Sequence, residues 1–380
     1  MKFDRFMCRI LAVVCLCGLL LVPESACAQR RRNPLRETDE AFFATAEARR
    51  IGDQVLVYQR CTGGWPKNID MAAPLTEEQL QQVLGDKARR NDSTIDNDAT
   101  SMQMFYLARL YRAAGDVRYR DAFRSGVEYL LSGQYDNGGW PQFWPEMSGY
   151  QVHITFNDDA MVNTLELFSA MIAGEKPFDG DLVDESLRAR LKESFDKGIA
   201  CILRTQIVVD GKPTVWCQQH DRETYAPAGA RSYELPSYCS QESAAIVRLL
   251  MAQPAPDANI KAAVHGAMMW FDNNKITGYR IDRSSGNATL VADTDAKPIW
   301  ARFYDLEHCI PFVCDRDGVP QRSLESIGSE RRNGYSWYNS RPADLYPLYE
   351  SWAERFDAQN KLALQLDSPG ANERGVFDIE

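Results

Sequence analysis

The sequence has little of what several common kinds of site require. Histidine occurs only 4 times in 380 residues, and no glycine-rich loop for phosphate or dinucleotide binding is present. Beyond Val22, no apolar run approaches the length that a membrane-spanning helix needs. These absences give no support to a nucleotide-binding site and predict a soluble product.

Cysteine is also too sparse for a disulfide scaffold. Four of the 10 cysteines lie before Gln29, and among the rest one or two bridges are possible in an oxidising compartment. Cys217 and His220, in TVWCQQHD, have a spacing typical of metal ligands. No second Cys or His pair has a comparable spacing, and no Asn or Asp partner can be nominated. A zinc site and a catalytic Cys–His pair therefore both lack support.

The segment 1–28 is typical of a removable export signal. A basic start from Lys2 to Arg9 precedes an apolar run over residues 10–22, which is too short to span a bilayer. Small residues at 26–28 then supply a cleavage site. The alternative is a lipoprotein anchored through Cys27. We expect a protein exported to the periplasm or beyond the cell.

The charge of the chain restricts its partners. The net charge is −10 at pH 7, and it becomes −11 without the segment 1–28, which carries three basic and two acidic side chains. This excess of acidic groups argues against nucleic acid and anionic lipid as partners. About 350 residues remain, enough for a large core. We expect a monomer.

Four segments share a pattern in which a helix ends in an amide side chain and a turn follows. They begin at positions 51, 126, 198 and 266, which are almost evenly spaced. The first three are followed by Gly64-Trp65, Gly139-Trp140 and Val215-Trp216, the fourth only by GYRID. Trp140, and Trp144 in the same motif, either pack in a turn or present their rings to a sugar. The segments are IGDQVLVYQ (51–59), GVEYLLSGQ (126–134), GIACILRTQ (198–206) and GAMMWFDNN (266–274).

A second kind of helix falls between these segments, over residues 95–116, 155–175 and 238–257. Each begins with a polar or acidic cluster, continues with apolar residues at helical spacing and stops at Gly or Pro. The alternation predicts an all-α fold in which about three helical hairpins form an incomplete α/α toroid, with short irregular or β flanks. An ordinary helical bundle is the alternative. We expect this domain over residues 45–355, between a flexible segment (29–44) and a C-terminal tail (356–380).

The acidic clusters have two possible roles. The first contains Asp96 and Asp98, and the second contains Asp158 and Asp159. Such residues often cap helix N-termini. One carboxylate is enough for a cap, however, and two or more oxygen-bearing side chains suit a hard cation such as calcium. Asp96 to Asp98 does not match an EF-hand loop, because Leu107 stands where that loop needs Glu.

Arginines in aromatic company form the strongest positive clusters. Arg231 and Tyr233 lie in GARSYELPS, Arg302 in WARFYD and Arg316 in CDRDG. Guanidinium forks suit carboxylates, and aromatic rings suit the faces of sugars. An acidic sugar polymer would fit this combination, as would a network of ion pairs in the core.

The ordered set of motifs resembles the pectate lyases of polysaccharide lyase family ten. The matching stretches run from about residue 45 to 340 and occur in the family's order. They are GGWPKNID, DNDAT, NGGWPQFWP, HITFNDDAM, TVWCQQHD, ARSYELPS, WARFYD, CDRDG and ERRNGYSWY. The resemblance implies an α/α toroid with a central groove and calcium-dependent cleavage of polygalacturonate by β-elimination.

The resemblance also implies roles for single residues. Arg231 matches the arginine that acts as the base. Asp96 and Asp158 are favoured over their neighbours Asp98 and Asp159 as calcium ligands. Arg316 is expected to bind a substrate carboxylate; the other expected substrate-binding residues are Arg302, Tyr233 and Lys67.

The reaction and its alternatives can be told apart chemically. An arginine base needs a neutral guanidine, and free guanidinium has a pKa above about 12, so we expect an alkaline optimum. One alternative is a glycoside hydrolase that uses Asp96 and Asp158 as acid and base. Another is an exported protein that binds oligogalacturonides without cleaving them. The cysteines of HCIPFVCDRDG leave the local redox state open.

Overall fold

The protein is described here from a computed structural model, which covers residues 33–371. The predicted export signal and the segment 372–380 lie outside this range. Helices dominate, and the strands are short. The helices are α1 (Glu40–Phe43), α2 (Ala46–Tyr58), α3 (Glu77–Gly85), α4 (Ser101–Ala114), α5 (Val117–Ser132), α6 (Ala160–Ala173), α7 (Glu185–Thr205), α8 (Ser240–Met251), α9 (Ala258–Asn274), α10 (Ser329–Gly334) and α11 (Leu345–Phe356).

Two alternating sets of helices confirm the predicted helical repeat. The amide-ended segments are the C-terminal parts of α2, α5, α7 and α9, and the second kind of helix corresponds to α4, α6 and α8. Successive pairs α4–α5, α6–α7 and α8–α9 pack against each other. In addition α4 packs on α6, α6 on α8 and α8 on α11. Thus α11 adds a fourth helix to this row, which the sequence pattern did not reveal.

The terminal amides show why the repeat recurs. Nε2 of Gln59 donates to the carbonyl of Gly63 in its own turn and to that of Ala122 on α5, each at 2.8 Å. Gln134 makes the same pair of bonds, to Gly138 and to Ser194 on α7. Each amide thereby ties one turn to the next helix of the same set.

The tryptophans of the turns are structural. Indole N–H groups of Trp65, Trp140 and Trp216 donate to helix carbonyls at 2.7–2.8 Å, and all three rings are fully buried. Trp300 makes the equivalent bond to Phe271 on α9 at 2.9 Å, so the fourth repeat has its tryptophan after all. The sequence search missed it because the β7–β8 hairpin separates the two. Trp144 is also buried and stacks on Tyr129, which rules out both rings of NGGWPQFWP as sugar platforms.

The strands fall in the loops between helices and in the expected partly β stretch after α9. A four-stranded sheet of order β12-β11-β10-β6 covers one end of α8, and β7 pairs with β8 in a hairpin. The strands are β1 (Ile154–Thr155), β2 (Val208–Val209), β3 (Lys212–Pro213), β4 (Gln219–His220), β5 (Pro227–Ala228), β6 (Tyr238–Cys239), β7 (Tyr279–Asp282), β8 (Thr289–Ala292), β9 (Trp300–Ala301), β10 (Phe303–Tyr304), β11 (Pro311–Cys314), β12 (Pro320–Gln321) and β13 (Tyr338–Asn339).

Packing begins before residue 45. Leu35 and Phe43, in the segment expected to be flexible, are both 1% exposed within the main core. A second, smaller core lies under the four-stranded sheet and includes Tyr233, Tyr335 and Trp337. All six cysteines within residues 33–371 are free thiols, so the possible bridges do not form there. No helix in that range is both long and apolar enough to cross a membrane.

Candidate active site

The acidic clusters form strained turns that do not cap helices. Asn97 and Asp98 have φ of 52° and 59°, and Asp158 and Asp159 have φ of 49° and 62°. All four lie in the left-handed region, which is unfavourable for residues other than glycine. Neither α4 nor α6 receives a side-chain capping hydrogen bond. The capping interpretation therefore fails for these clusters. The aspartates that do cap helices, at the starts of α5, α7 and α9, are Asp116, Asp184 and Asp257.

Asn157 brings the two clusters together. Its Nδ2 donates to Oδ1 of Asp96 at 3.1 Å and to Oδ2 of Asp158 at 3.0 Å. Asp96 is 1% exposed, whereas the side chain of Asp158 is 35% exposed. Burial and the nearby charge of Glu242 raise the pKa of Asp158. Two carboxylates from distant parts of the chain thus face one amide.

Two further side chains hold Asp96. Lys67 forms a close ion pair with its Oδ2 and lies over the ring of Phe143, 5.5 Å from the centroid. Nε2 of Gln142 donates to the same oxygen at 2.7 Å. The other polar atom of this amide, Oε1, is buried and has no hydrogen-bond partner among residues 33–371. Next to Asp96 there is consequently a free oxygen ligand.

The second aspartate of each cluster points to other partners. Asp98 forms a close ion pair with Arg36 and accepts a bond from Nδ2 of Asn163 at 2.6 Å. Asp159 pairs with Arg341 at 2.8 Å. Burial raises the pKa of Asp159 to about 6, although Arg341 opposes the shift. The structure therefore groups Asp96 with Asp158 and separates both from Asp98 and Asp159.

Arg302 is a buried support rather than an exposed contact. Its side chain is 4% exposed and forms a close ion pair with Glu242, which is fully buried. Its Nη2 also lies 3.5 Å from Oδ1 of Asp158 and 3.4 Å from Oδ1 of Asn157. The guanidinium of Arg302 is therefore buried beside the carboxylates of Glu242 and Asp158.

Arg231 has an exposed side chain that forms an ion pair with the buried carboxylate of Glu234. The side chain is 44% exposed, and its Nε donates to Oε2 of Glu234 at 2.7 Å while Nη2 pairs closely with Oε1. Glu234 is 4% exposed and also accepts a bond from the hydroxyl of Tyr335 at 2.7 Å. Burial alone would lower the pKa of Arg231, but the hydrogen bonds and charge of Glu234 outweigh it and raise that pKa.

Tyr233 lies among three guanidinium groups. Those of Arg231, Arg331 and Arg316 lie 4.9, 4.7 and 5.9 Å from its ring centroid. The ring is 3% exposed, so it stacks against these arginines and offers little surface to a sugar. Arg316 is exposed and held by Glu330, with N···O distances of 3.0 and 2.9 Å. Arg231 and Arg316 are thereby positioned over the same ring.

A continuous chain of hydrogen bonds joins the arginine side of the site to the acidic side. The hydroxyl of Tyr335 bonds to Glu234, Nε2 of Gln218 approaches that hydroxyl at 3.4 Å, and the same Nε2 donates to Oδ1 of Asn157. From Asn157 the chain reaches Asp96 and Asp158. The arginine cluster and the two acidic clusters are therefore connected by hydrogen bonds in the folded protein.

Sequence reasoning gave no role to four residues of this site: Gln142, Gln218, Glu234 and Tyr335. All four lie inside the motifs quoted for the resemblance. Gln142, Gln218 and Tyr335 gave no signal in the sequence, because only folding brings them to the carboxylates.

His220 has a structural role. It is fully buried, its Nε2 accepts the backbone N–H of Cys217 at 3.0 Å, and its Nδ1 lies 2.8 Å from the carbonyl of Tyr225. Burial lowers the pKa of His220 to about 4. Both ring nitrogens are occupied, which leaves no ligand for a metal.

The donor set suits calcium better than a transition metal. Within residues 33–371, no group of three or more His, Cys, Asp or Glu side chains could hold a metal ion. Asp96, Asp158 and the unpartnered oxygen of Gln142 nonetheless provide two carboxylates and one amide oxygen in one place. Calcium accepts such hard oxygen ligands and completes its shell with water or ligand oxygens. The residues present fit that ion.

Comparison with known proteins gives a consistent result. The family model described as pectic acid lyase matches residues 59–346. The family 10 polysaccharide lyase from Cellvibrio cellulosa is 34% identical, with a TM-score of 0.74 over 84% of this chain and 97% of that chain. A variant of that lyase in complex with trigalacturonic acid, also 34% identical, has a TM-score of 0.73 over 86% of this chain and 98% of that chain. A comparison with curated proteins gave no match.

Proposed function

Because the chain belongs to the pectic acid lyase family and is a pectate lyase, we propose that it cleaves α-1,4-linked polygalacturonate by calcium-assisted β-elimination with Arg231 as the base. The products would be 4,5-unsaturated oligogalacturonides. The related lyase in complex with trigalacturonic acid supports a galacturonate polymer as the substrate. The excess of acidic groups on this chain is compatible with an anionic polymer only if local cations face it.

The observation that carries the proposal is the connected site. The exposed guanidinium groups of Arg231 and Arg316 both lie over the ring of Tyr233. An unbroken hydrogen-bond chain joins Arg231 to the carboxylates Asp96 and Asp158. Base, carboxylate-binding group and oxygen ligands therefore lie within one constellation.

The chemistry uses these groups in turn. The proton at C5 of a galacturonate ring lies next to the ring's carboxylate, so its removal spreads negative charge onto that carboxylate. Neutral Arg231 would take the proton, and the fork of Arg316 would bind the carboxylate through two N–H groups. Stabilising charge that develops in the transition state is a large source of rate enhancement.

Asp96, Asp158 and Gln142 would hold the calcium ion. When bound, that ion supplies positive charge that stabilises the carboxylate as it gains negative charge. Lys67 pairs with Asp96, and its side chain is 28% exposed, so its ammonium would also meet a further carboxylate of the polymer. Buried Arg302 and Glu242 keep Asn157 and Asp158 in place from below. In this proposal Lys67 binds substrate, whereas Arg302 supports the ligands.

The remaining parts of the proposal concern shape and location. The acidic clusters stand at the N-terminal ends of α4 and α6, which pack side by side. We infer that the helix pairs form an incomplete α/α toroid whose groove lies at that end. The signal pattern over residues 1–28 supports export. Family membership favours elimination over hydrolysis by two carboxylates and over binding alone.

The test is the ultraviolet absorbance of the unsaturated product formed from polygalacturonate, with and without calcium. We expect Arg231→Ala to lose at least about a thousandfold in kcat, since a base contributes roughly that much. Arg190→Ala is the matched control. Arg190 on α7 also forms a bidentate ion pair with a glutamate, Glu128 on α5. A normal rate in Arg231→Ala would overturn the assignment of the base.

A further inference from the structure

Glu234 binds Arg231 in a way that leaves one nitrogen of the guanidinium free. Its carboxylate takes up Nε and Nη2, and Oε2 also accepts the backbone N–H of Arg231 at 3.2 Å. Within residues 33–371, Nη1 of Arg231 forms no hydrogen bond. Because the side chain is 44% exposed while Glu234 is buried, Nη1 is on the open edge of the pair.

We propose that Glu234 is the positioning residue of the elimination: it fixes the plane of Arg231, directs Nη1 to the substrate and stabilises the guanidinium that forms there. This inference rests on the proposed function, in which Arg231 is the base. Glu234 itself makes no contact with the substrate. Its rigidity comes from burial and from the hydroxyl of Tyr335, which bonds to Oε1 at 2.7 Å.

The proton balance follows from this geometry. The C5–H bond breaks and an N–H bond forms at Nη1, which converts neutral guanidine to guanidinium. The electron pair of the C5–H bond becomes the C4–C5 double bond as the bond from C4 to the glycosidic oxygen breaks. That oxygen takes a proton from solvent, and the guanidinium later returns one to solvent. No oxidant or reductant is needed.

The charges around Arg231 determine the pH at which it is neutral. Among residues 33–371, Glu234 is the one carboxylate that bonds to Arg231, and its charge favours the guanidinium. The guanidinium carbon of Arg231 lies 5.7 and 4.9 Å from the ring centroids of Tyr335 and Tyr233. Tyr150 is also near, and the charge of Arg231 acts to lower the pKa of that tyrosine. The other cations on the ring of Tyr233 are Arg316 and Arg331.

Removing the charge of Glu234 should lower two parameters, the pKa of Arg231 and the limiting kcat. Without that charge the guanidinium loses stabilisation, so its pKa falls and the neutral form appears at lower pH. The limiting kcat should also fall, because a weaker base has less driving force for proton transfer. KM should change less than twofold. A residue that only maintained the fold would not move the pH profile.

The experiment measures kcat and KM on polygalacturonate with saturating calcium from pH 7 to pH 11. For Glu234→Gln we expect the rising limb of kcat, which in the wild type continues through pH 11, to move to lower pH by about one unit or more. Glu128→Gln, in the matched pair with Arg190, should leave the profile unchanged. An active Glu234→Gln enzyme whose limb stays in place would overturn the inference.

A second variant tests whether the fixed plane of the Arg231 guanidinium matters, without altering Glu234. Arg231→Lys keeps a base that titrates within the range, but an ammonium group cannot offer Nε and Nη2 to both oxygens. We expect kcat to fall at least a hundredfold while KM stays within about threefold. Wild-type kcat in Arg231→Lys would contradict the inference. Activity in Arg231→Ala would instead contradict the proposed function, so the two failures are distinguishable.

Discussion

Gln142 and Asp96 are far apart in the chain, yet Nε2 of Gln142 lies 2.7 Å from Oδ2 of Asp96. The contact places the NGGWPQFWP turn beside the first acidic cluster. Trp140 and Trp144 of this turn pack in the core and bond to helix carbonyls. Gln142 of the same turn contacts the acidic cluster. This turn therefore belongs to both the repeat and the site, through different side chains.

Calcium should stabilise the protein through Asp96, Asp158 and Gln142. We expect chelation with EDTA to abolish elimination, and added calcium to raise the Tm of the chelated wild-type protein. In Gln142→Leu the unpartnered oxygen is lost, so the calcium concentration for a half-maximal Tm shift should rise about tenfold or more. Differential scanning fluorimetry measures this without any substrate.

Gln253→Leu is the control for that series, since Gln253 caps the end of α8 with its amide, away from the carboxylates. It should keep the calcium response of the wild type. An unchanged response in Gln142→Leu would remove Gln142 from the proposed ligand set.

Glu330 should compete with the substrate for Arg316. In the free protein its carboxylate occupies Nε and Nη2 of Arg316, the edge that would bind a galacturonate carboxylate. We expect Glu330→Gln to lower KM about two- to fivefold with kcat nearly unchanged, and Arg316→Ala to raise KM at least tenfold. Initial rates over a range of polygalacturonate concentrations give both parameters.

Glu325→Gln is suitable as a charge-matched control, because Glu325 is exposed and lies shortly before α10, the helix that carries Glu330. If it lowered KM as much as Glu330→Gln, general repulsion of an anionic polymer would explain the effect and competition at Arg316 would not.

Acid should destabilise the fold through His220. Its pKa is about 4 in the folded protein, against about 6.5 for an ordinary histidine. Below pH 6.5, His220 therefore binds a proton in the unfolded chain but not in the folded chain. The free energy of unfolding falls as the pH decreases from 6.5 towards 4. His220→Gln should reduce this loss by up to about 3 kcal/mol.

Urea unfolding at pH 7 and pH 4.5 measures that difference. His308 is 64% exposed, and His308→Gln should lose as much stability in acid as the wild type. The same acid-induced loss in His220→Gln would show that other groups cause it.

Gly138 should be the least replaceable glycine of the second turn. It has φ of 91°, and a Cβ there would lie 2.0 Å from the carbonyl oxygen of Lys197 on α7. We expect Gly138→Ala to cost roughly 3 kcal/mol or more, because it adds a backbone clash to a left-handed conformation. Gly211→Ala provides the comparison: it has φ of 75° but open space around it, so only about 1 kcal/mol is expected. Equal costs measured by urea unfolding would contradict the role of the clash.

The sequence alone determined the repeat and the motifs. Amide-ended helices, glycine–tryptophan turns and apolar spacing follow local rules, so α2, α4 to α9 and their order could be predicted. The fourth tryptophan could not, because the hairpin between Phe271 and Trp300 breaks the spacing. Likewise α11 packs on α8 and continues the row α4, α6, α8 from a position that no periodic pattern marks.

Only the tertiary structure decided how the candidate residues are arranged. Asn157 bonds to both Asp96 and Asp158, and the sequence does not encode the direction of its side chain in any local pattern. The burial of Arg302 and the grip of Glu234 on Arg231 depend on contacts across the small core. Spacing along the chain identifies residue types, whereas charge pairing and solvent exposure arise from the packing of distant segments.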